Sequence, residues 1–325
     1  MAQYGTKHGH AEGVLAVMLA NPDVEVVGVY EPDADRRREL ETSRSGPLSK
    51  VRWFASPKEF LEDPTIVAVS SEGRNIESLA QTEEIVAADK HVFYDKPAGD
   101  DWPRFQRVIA EARRKSLLVQ LGYMFRYHDG FSRVAEWARS GFLGHVFSVR
   151  AHMSTNITQE QRAVIADHDG GIFYDLAGHM LDQVVWLLGR PARVTSFFQN
   201  VESRSPTFQD NTLGVFEYDR ALAFVDIAAM EARPMARRFE VYGTRGSAIM
   251  EPFEPAGLVR LCLDEARGGY KAGVNTIKIE DRPRYVDSLA AFVKDIRGEK
   301  HPDRSLEHEL LVQETLLRAT GQLPA

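Results

Sequence analysis

Short apolar runs alternate with helix-like segments through the first 122 residues, and this alternation constrains the fold more than any other feature. Six runs have strand character, at 1–4, 24–30, 51–54, 65–69, 91–94 and 117–121. Helical patterns separate them, the longest over 33–42, 76–88 and 101–115. Because strands that alternate with helices form parallel sheets covered on both faces, the pattern predicts an α/β domain with a doubly wound parallel sheet over residues 1–122.

The pattern changes after Gly122, which predicts a second domain over residues 123–325. A helix is expected over 129–140, a long strand over 144–154, a polar irregular stretch over 156–169 and a helix from Gly170 to Leu188. Several strands with turn signals follow between 192 and 279, and two helices, about 284–297 and 305–319, close the chain. This order predicts an α+β domain with a large, predominantly antiparallel sheet. A chain of 325 residues is also too long for one ordinary core.

Composition narrows the class of protein. Hydrophobic residues make up 43% and charged residues 27% of the chain, as in ordinary globular proteins. A net charge of -7 argues against a nucleic-acid partner, which would need a basic face. The single cysteine, Cys262, fits a reducing compartment, and neither a membrane-length apolar run nor an export signal is visible. We therefore expect a cytoplasmic protein without a membrane partner.

The stretch from His91 to Gly99 combines a buried strand with a charged end. Three apolar residues lead to Asp95 and Lys96, and Pro97 then stops the strand because proline has no N–H for a ladder hydrogen bond. Open α/β sheets bind ligands beyond the carboxyl ends of their strands. Lys96 is therefore a candidate for contact with both a cofactor and a substrate hydroxyl; the alternative is a lysine in a solvated turn.

The segment Gly5-Thr6-Lys7-His8-Gly9-His10-Ala11 lies between the first strand and the first helix. It resembles a dinucleotide-binding loop, in which glycines let the backbone approach a pyrophosphate at a helix N-terminus. Lys7 stands where a second glycine is expected, so a generic tight turn is the alternative. The first strand is unusually short, which leaves open whether the native chain starts upstream of Met1.

Glu31, at the tip of the second strand, is expected to accept hydrogen bonds from the adenosine ribose, which favours NAD over NADP. Arginines 36–38 could pair with the 2′-phosphate of NADP instead, or form a solvated helix face. The small residues Ser70 and Ser71 end another strand and can lie close to a cofactor. The predicted cofactor-binding residues are Gly5, Thr6, Lys7, His8, Gly9, Glu31, Ser70, Ser71, Asp95 and Lys96.

The predicted helix after Gly170 carries a row of polar residues on one face. Asp175 and His179 are four residues apart and Asp182 follows three later, so the three share that face. An aspartate one turn from a histidine can fix its tautomer, and histidine titrates near neutrality, which suits proton transfer. The alternative is a structural histidine held by an aspartate. Neither Asp182 nor His168 completes a clear ligand set with His179, so no metal site is expected.

Three motifs together resemble the glucose–fructose oxidoreductase / inositol dehydrogenase (Gfo/Idh/MocA) family. Asp95-Lys96-Pro97 resembles its Glu-Lys-Pro signature, and the segment 122–127 resembles its Gly-Tyr-x-x-Arg-Phe junction. The segment 170–182 resembles its Gly-Gly-x-x-x-Asp-x-x-x-His-x-x-Asp helix. The chain departs from the family pattern in the shorter Asp95, in the eroded glycine loop and in the two serines at 70–71.

The resemblance implies an NAD(P)-dependent dehydrogenase acting on CH–OH groups of a sugar, cyclitol or related polyol. It implies Lys96, Asp175 and His179 as the catalytic trio, with His179 as general base, Asp175 holding it and Lys96 bonded to the reacting oxygen. It also implies a homodimer or homotetramer. The candidate substrate-binding residues are Tyr123, Arg126, His152, Asn156, His168, Asp175 and His179; for Arg126 a structural salt bridge is an equal alternative.

Two other functions remain open at this stage. Some proteins of the resembled family use tightly held NAD to oxidise a sugar transiently and eliminate a glycosidic substituent. The same fold also occurs in a transcriptional co-repressor, so a non-catalytic, NAD-binding sensor is the other alternative. Retention of Lys96, Asp175 and His179 together argues against the sensor, while the choice between net oxidation and elimination cannot be made from these residues.

Overall fold

The computed structural model describes residues 1–42, 45–255, 257–280 and 282–324, which fall into two compact units. The first unit comprises Met1–Tyr123 and Pro283–Leu310, and the second comprises Met124–Arg282 and Leu311–Ala325. The sequence-based division assigns all residues after 122 to the second domain, whereas the structure groups 283–310 with the first unit. The reason is packing: the Phe292 ring lies 5.7 Å from the Phe93 ring, and the Gln120 amide donates to the Ser288 carbonyl.

The first unit is built on a five-stranded parallel sheet with the strand order β2-β1-β3-β4-β5. The strands are β1 (Ala2–Tyr4), β2 (Gly28–Tyr30), β3 (Ala68–Ser71), β4 (His91–Tyr94) and β5 (Val119–Leu121). All strand pairs are parallel, which confirms the predicted doubly wound sheet. In this order the chain reverses its direction of winding between β1 and β3. This position is the switch point of the sheet, and ligands of such sheets bind there.

Helices connect these strands. They are α1 (Ala11–Ala20), α2 (Ala34–Glu41), α3 (Pro57–Leu61), α4 (Asn75–Ala87) and α5 (Trp102–Arg114), and a short 3₁₀ helix spans Pro47–Lys50. In α5 the buried residues are Phe105, Val108, Ile109 and Ala112, a spacing that turns one apolar stripe toward the core.

The predicted strand at 51–54 is wrong, since Trp53 makes only an isolated bridge to Val29. The strand predicted at 24–30 is too long, since β2 covers only Gly28–Tyr30, and the strand predicted at 65–69 is shifted, since β3 covers Ala68–Ser71. β1 has only three residues, and both neighbours pair with it along that length. The register joins Ala2 to Gly28 on one side and to Val69 on the other. An apolar run therefore becomes a strand only where a partner strand faces it.

The second unit contains an eight-stranded sheet with the order β13-β12-β11-β10-β6-β9-β8-β7. Its strands are β6 (Val146–His152), β7 (Arg193–Gln199), β8 (Asn211–Glu217), β9 (Leu222–Ala228), β10 (Arg238–Gly243), β11 (Gly246–Met250), β12 (Leu258–Leu263) and β13 (Gly273–Lys278). The pair β6–β9 is parallel, and the other six pairs are antiparallel. The predicted, predominantly antiparallel sheet is confirmed.

Helices α6 (Asp129–Arg139), α7 (Gln159–Ile165) and α8 (Gly171–Leu188) belong to the second unit. The expectation of an irregular stretch at 156–169 is wrong, because α7 forms there. Thr158 and Gln161 make a capping box at its start, in which the side chain of each residue accepts a hydrogen bond from the backbone N–H of the other.

Helix α8 packs on β8 and β9, where Gly214 leaves room for the Phe173 ring; a Cβ at Gly214 would lie 2.7 Å from that ring. Two helices close the chain, α9 (Val286–Ile296) and α10 (Leu306–Ala319). Among the helices of the described ranges, none has the length and apolar composition needed to span a bilayer.

Candidate functional site

Lys96 lies at the carboxyl end of β4, as the sequence predicts. The Asp95 amide still donates to the Ser71 carbonyl of β3, so the ladder reaches this residue. The Asp95 carboxylate then accepts the Lys96 amide at 2.8 Å and turns the chain. Lys96 is only 3% exposed. A buried ammonium group at the end of a central parallel strand is not a lysine in a solvated turn.

The loop between β1 and α1 is fixed at the switch point of the sheet. The Gly5 amide donates to the Tyr30 carbonyl of β2, and the His8 amide donates to the Glu72 carbonyl after β3. Gly5 has φ +84°, and a Cβ there would lie 2.8 Å from the Gly73 nitrogen. His10 caps α1 without a side-chain hydrogen bond to its first turn. This close backbone cradle beside a helix N-terminus fits a dinucleotide pyrophosphate.

The acid at the tip of β2 is held in place by this same loop. The Glu31 carboxylate accepts the Thr6 hydroxyl at 2.7 Å and the Asp33 amide at 3.0 Å, and Glu31 is 1% exposed. Arg36 donates to both the hydroxyl and the carbonyl oxygen of Thr6. A ribose hydroxyl would reach Glu31 by replacing the Thr6 hydroxyl as donor. Lys7 is ion-paired with Asp33 at 3.1 Å.

Two histidines of the loop converge on Asp95. The Nδ1 atoms of His8 and His10 lie 2.5 and 3.0 Å from the same oxygen, Oδ2 of Asp95, and the two rings are 4.7 Å apart. Burial opposes ionisation of Asp95, but the two histidines outweigh it and hold its pKa well below the usual range. The Tyr285 ring covers this group, 5.6 Å from the His10 ring.

Glu72 lies beside Asp95 at the ends of neighbouring strands. In the register Ser71 pairs with Tyr94, so the next residues, Glu72 and Asp95, stand side by side. Glu72 is fully buried and accepts the Ser70 hydroxyl through Oε1 at 2.6 Å. Burial raises the pKa of Glu72 well above the usual range, and the adjacent Asp95 charge raises it further.

In the second unit, α8 carries Asp175, His179 and Asp182 on one face, as predicted. His179 is fully buried, with its ring 5.8 Å from the Phe125 ring in an edge-to-face arrangement, and Asp175 is half-buried. Asp182 is paired with Arg126: Nη2 of Arg126 lies 2.7 Å from Oδ1, and both side chains are at least 99% buried. Arg126 is therefore in a structural ion pair.

The other candidate substrate residues are spread over several places. His152 is bound on both ring nitrogens, by Asp226 at 2.5 Å and by Glu231 at 3.0 Å. It pairs in register with the half-buried Asp226, while the alternate residues of β9 are buried on the α8 side. His152 thus faces away from α8 and the structure does not bring it to His179.

Asn156 donates to the backbone carbonyl of Glu231, the residue whose carboxylate contacts His152. His168 is buried and stacks on Tyr174 with the ring centroids 4.7 Å apart. Tyr123 is buried at the end of the first unit. The surroundings of Tyr123, Asn156 and His168 could not be predicted from the sequence, because they depend on contacts between loops and strands.

His10 and Glu72 also lie in the group around Asp95, although neither is among the site residues predicted from the sequence. Both carry ligand-type side chains next to predicted residues, and His10 is part of a His-x-His spacing that places two imidazoles close together. Glu72 directly follows the predicted Ser70-Ser71 pair. Their proximity to Asp95 depends on sheet order and register, which a linear pattern does not contain.

Family models match most of the chain. The model described as "Oxidoreductase family, NAD-binding Rossmann fold" matches residues 5–123, and the one described as "GFO/IDH/MocA C-terminal domain" matches residues 131–249. The first agrees with the cradle of the β1–α1 loop, and the second covers helices and strands of the sheet unit.

Curated and solved relatives extend over nearly the whole chain. Myo-inositol 2-dehydrogenase of Thermotoga maritima is 22% identical, with 90% of this chain and 86% of the relative covered. The scyllo-inositol 2-dehydrogenase (NAD(+)) of Bacillus subtilis is 24% identical, covering 90% and 84%. A crystal structure of GenD2 from gentamicin A biosynthesis, in complex with NAD, superposes with a TM-score of 0.80 at 22% identity, covering 99% and 93%.

Proposed function

Because the chain belongs to the Gfo/Idh/MocA family of oxidoreductases and carries its NAD-binding Rossmann domain, we propose that it oxidises a secondary hydroxyl of a sugar, cyclitol or related polyol. The observation that carries the proposal is the buried Lys96 at the carboxyl end of β4, beside the switch point of the nucleotide-binding sheet. The inositol dehydrogenases among the relatives support the substrate class.

The first unit supplies the cofactor contacts in this proposal. The Gly5 turn and the N-terminus of α1 receive the pyrophosphate, and Glu31 accepts the ribose hydroxyls. When bound there, NAD would supply the hydride acceptor. A carboxylate at Glu31 would repel a 2′-phosphate, so NAD is the expected cofactor, while Arg36 is the nearby group that could bind NADP.

Lys96, Asp175 and His179 carry out the remaining chemistry. The Lys96 ammonium donates a hydrogen bond to the reacting hydroxyl oxygen and stabilises the negative charge that develops on it. His179 takes the hydroxyl proton, and Asp175, one helical turn away, orients the imidazole. General acid–base catalysis of this kind contributes on the order of 10²–10⁴ in rate.

A substrate screen with matched variants tests the proposal. Sugars, inositols and glycosides are incubated with NAD⁺ or NADP⁺, and reduced cofactor is measured by absorbance. With the best substrate, Lys96→Met and His179→Gln are expected to lower kcat by roughly 10²–10⁴-fold. The control variants Lys58→Met and His145→Gln change exposed residues of the same types and should keep full turnover.

The same screen separates the alternatives. Cleavage of a glycoside without net formation of reduced cofactor would replace oxidation by elimination chemistry. Cofactor binding without turnover of any compound would make the chain a sensor. Full activity in Lys96→Met or His179→Gln would refute the assigned roles.

We also propose that the chain self-associates through the face of the eight-stranded sheet that turns away from α8. This side carries partly exposed aromatic residues, with Phe197 60% exposed and Arg150 over the rings of Phe224 and Tyr242. Exposed apolar faces of this kind mark association sites. Sedimentation of a monomer at micromolar concentration would refute a dimer or tetramer.

A further inference from the structure

Three side chains with metal-binding chemistry meet at the switch point of the parallel sheet. His8 and His10 extend from the β1–α1 loop, and Asp95 follows β4. One ligand atom from each lies within 4.8 Å of the other two, and within the described part of the chain this is the one such group found. The side chains are 11%, 27% and 2% exposed, so the group is not a solvated acidic surface.

The loop brings both Nδ1 atoms next to one carboxylate oxygen. Each Nδ1 is a position that holds either a proton or a metal ion. The Nδ1 atoms of His8 and His10 lie 2.5 and 3.0 Å from Oδ2 of Asp95, and Nδ1 of His8 also accepts the His10 amide at 3.3 Å. Ligand atoms on one zinc ion, each about 2.0–2.2 Å from the metal, are about 3.3 Å apart in a tetrahedron. The two histidine–Asp95 separations would lengthen by under about 1 Å to reach that spacing.

Glu72 lies beside these three ligands and is not one of them, since the group whose ligand atoms all lie within 4.8 Å of one another comprises His8, His10 and Asp95. It is fully buried, with its carboxyl within hydrogen-bonding reach of the Asp95 carboxyl, and its Oε1 accepts the Ser70 hydroxyl. Buried polar groups are normally hydrogen-bonded. Glu72 thus acts on the site only indirectly, as a neighbour of the ligand carboxylate.

We propose that His8, His10 and Asp95 bind one divalent cation of the zinc type. The two imidazoles and the carboxylate form an N₂O set that leaves the fourth tetrahedral position to water, which suits zinc, whereas Mg²⁺ and Ca²⁺ prefer all-oxygen sites. Tyr285 and the loop backbone shield the ion. Bound there, the cation joins the β1–α1 loop to the end of β4 and fixes the loop at the switch point.

Cobalt titration of the whole chain tests this proposal. The purified protein is stripped with a chelator, and Co²⁺ is added without NAD or substrate. We expect one Co²⁺ per chain, with the visible d–d absorption of a tetrahedral site, displaced by one equivalent of Zn²⁺. Loss of an outer-shell partner costs about 10–100-fold in metal affinity. His8→Gln and His10→Gln, which remove direct ligands, should therefore weaken binding by more than that.

The control variant His145→Gln removes a histidine that contacts the Arg220 carbonyl in the second unit, and it should bind Co²⁺ as the wild type does. Circular dichroism and thermal unfolding establish that each variant is folded. The proposal is overturned by a wild type that binds no Co²⁺, by an octahedral spectrum, or by unchanged affinity in either ligand variant. The readout requires neither cofactor nor turnover, so its failure leaves the proposed function intact, and the converse also holds.

Discussion

The buried pair between Arg126 and Asp182 gives the sharpest prediction about the second unit. Two roles for Arg126 are compatible with the sequence, a substrate contact or a structural salt bridge. Oδ1 of Asp182 accepts from Nη2 of Arg126 at 2.7 Å and from Nε at 3.2 Å. Oδ2 of Asp182 also accepts a hydrogen bond from the side-chain amide (Nε2) of Gln183 at 3.0 Å. The carboxylate is thus part of a buried polar network, and Arg126→Met removes its cationic partner.

The expected loss follows from burial. With side-chain exposures of 1% and 0%, removal of one partner leaves an uncompensated charge in the core. Such changes cost about 3–5 kcal/mol in the free energy of unfolding. For a unit of about 150–250 residues each kcal/mol lowers the unfolding temperature by roughly 2–4 °C, so Arg126→Met should melt roughly 6–20 °C lower. The double variant Arg126→Met/Asp182→Leu should recover much of the loss, because it removes both charges.

Urea unfolding of the wild type, both single variants and the double variant completes a double-mutant cycle. Arg133→Met is the matched control: its partner Asp129 lies 2.8 Å away, but the pair is partly exposed at 42% and 28%. Surface pairs contribute about 0–1 kcal/mol, so this variant should stay close to wild type. The structural role is refuted if Arg126→Met keeps wild-type stability while KM for the substrate rises, or if the double variant is as unstable as the sum of the singles.

Three further predictions concern other sites. His152→Gln should destabilise the chain by about 1.5–3 kcal/mol at about pH 5.5 and by much less at about pH 9. The Asp226 hydrogen bond outweighs burial and raises the folded-state pKa of His152. The stabilisation that His152 contributes is therefore full below its unfolded-state pKa and is lost as pH rises through the raised, folded-state pKa. Equal losses in urea unfolding at both pH values would contradict this. Glu31→Ser should raise kcat/KM for NADP⁺ relative to NAD⁺ by about 10–100-fold, and an unchanged ratio in steady-state kinetics would mean that Glu31 does not face the ribose. Gly5→Ala should lower the free energy of unfolding by about 1–3 kcal/mol, because φ at this position is +84° and the new Cβ would lie 2.8 Å from the Gly73 nitrogen. An unshifted urea midpoint would show that the loop relaxes freely.

Local patterns predicted the elements whose signals lie within a few residues. Helix α8 begins where the Gly170-Gly171 pair indicates, since Gly170 is left-handed at φ +94° and a Cβ at Gly171 would lie 2.3 Å from the Gln209 carbonyl oxygen. Strand β4 ends before Pro97, as the sequence predicts. The segment 283–310 could not be assigned correctly, because its packing on the first unit depends on contacts such as Phe292 with Phe93.

The candidate site was predictable to the same degree. Lys96, Asp175 and His179 could be proposed from sequence because each belongs to a motif with fixed spacing, and their roles stay predictions. The direction of His152 follows from the period-2 alternation of β6, since it shares the parity of Arg150, which is exposed. Glu72 was missed because only the register of β3 against β4 brings it beside Asp95.

Two departures from the family pattern, noted separately in the sequence, are in direct contact in the fold. Asp95 is one methylene shorter than the usual glutamate, and the glycine-rich loop carries His8 and His10. The imidazoles occupy the space next to the shorter carboxylate, with Nδ1 of His8 only 2.5 Å from its oxygen. A glutamate at 95 would push its carboxylate into these rings, and overpacking of a buried site typically costs about 1–3 kcal/mol. The short acid therefore leaves room for the two histidines. The altered loop is thus held at the switch point by two imidazoles against Asp95 after β4 and by the His8 amide on the Glu72 carbonyl after β3, and it is not simply a weakened glycine fingerprint.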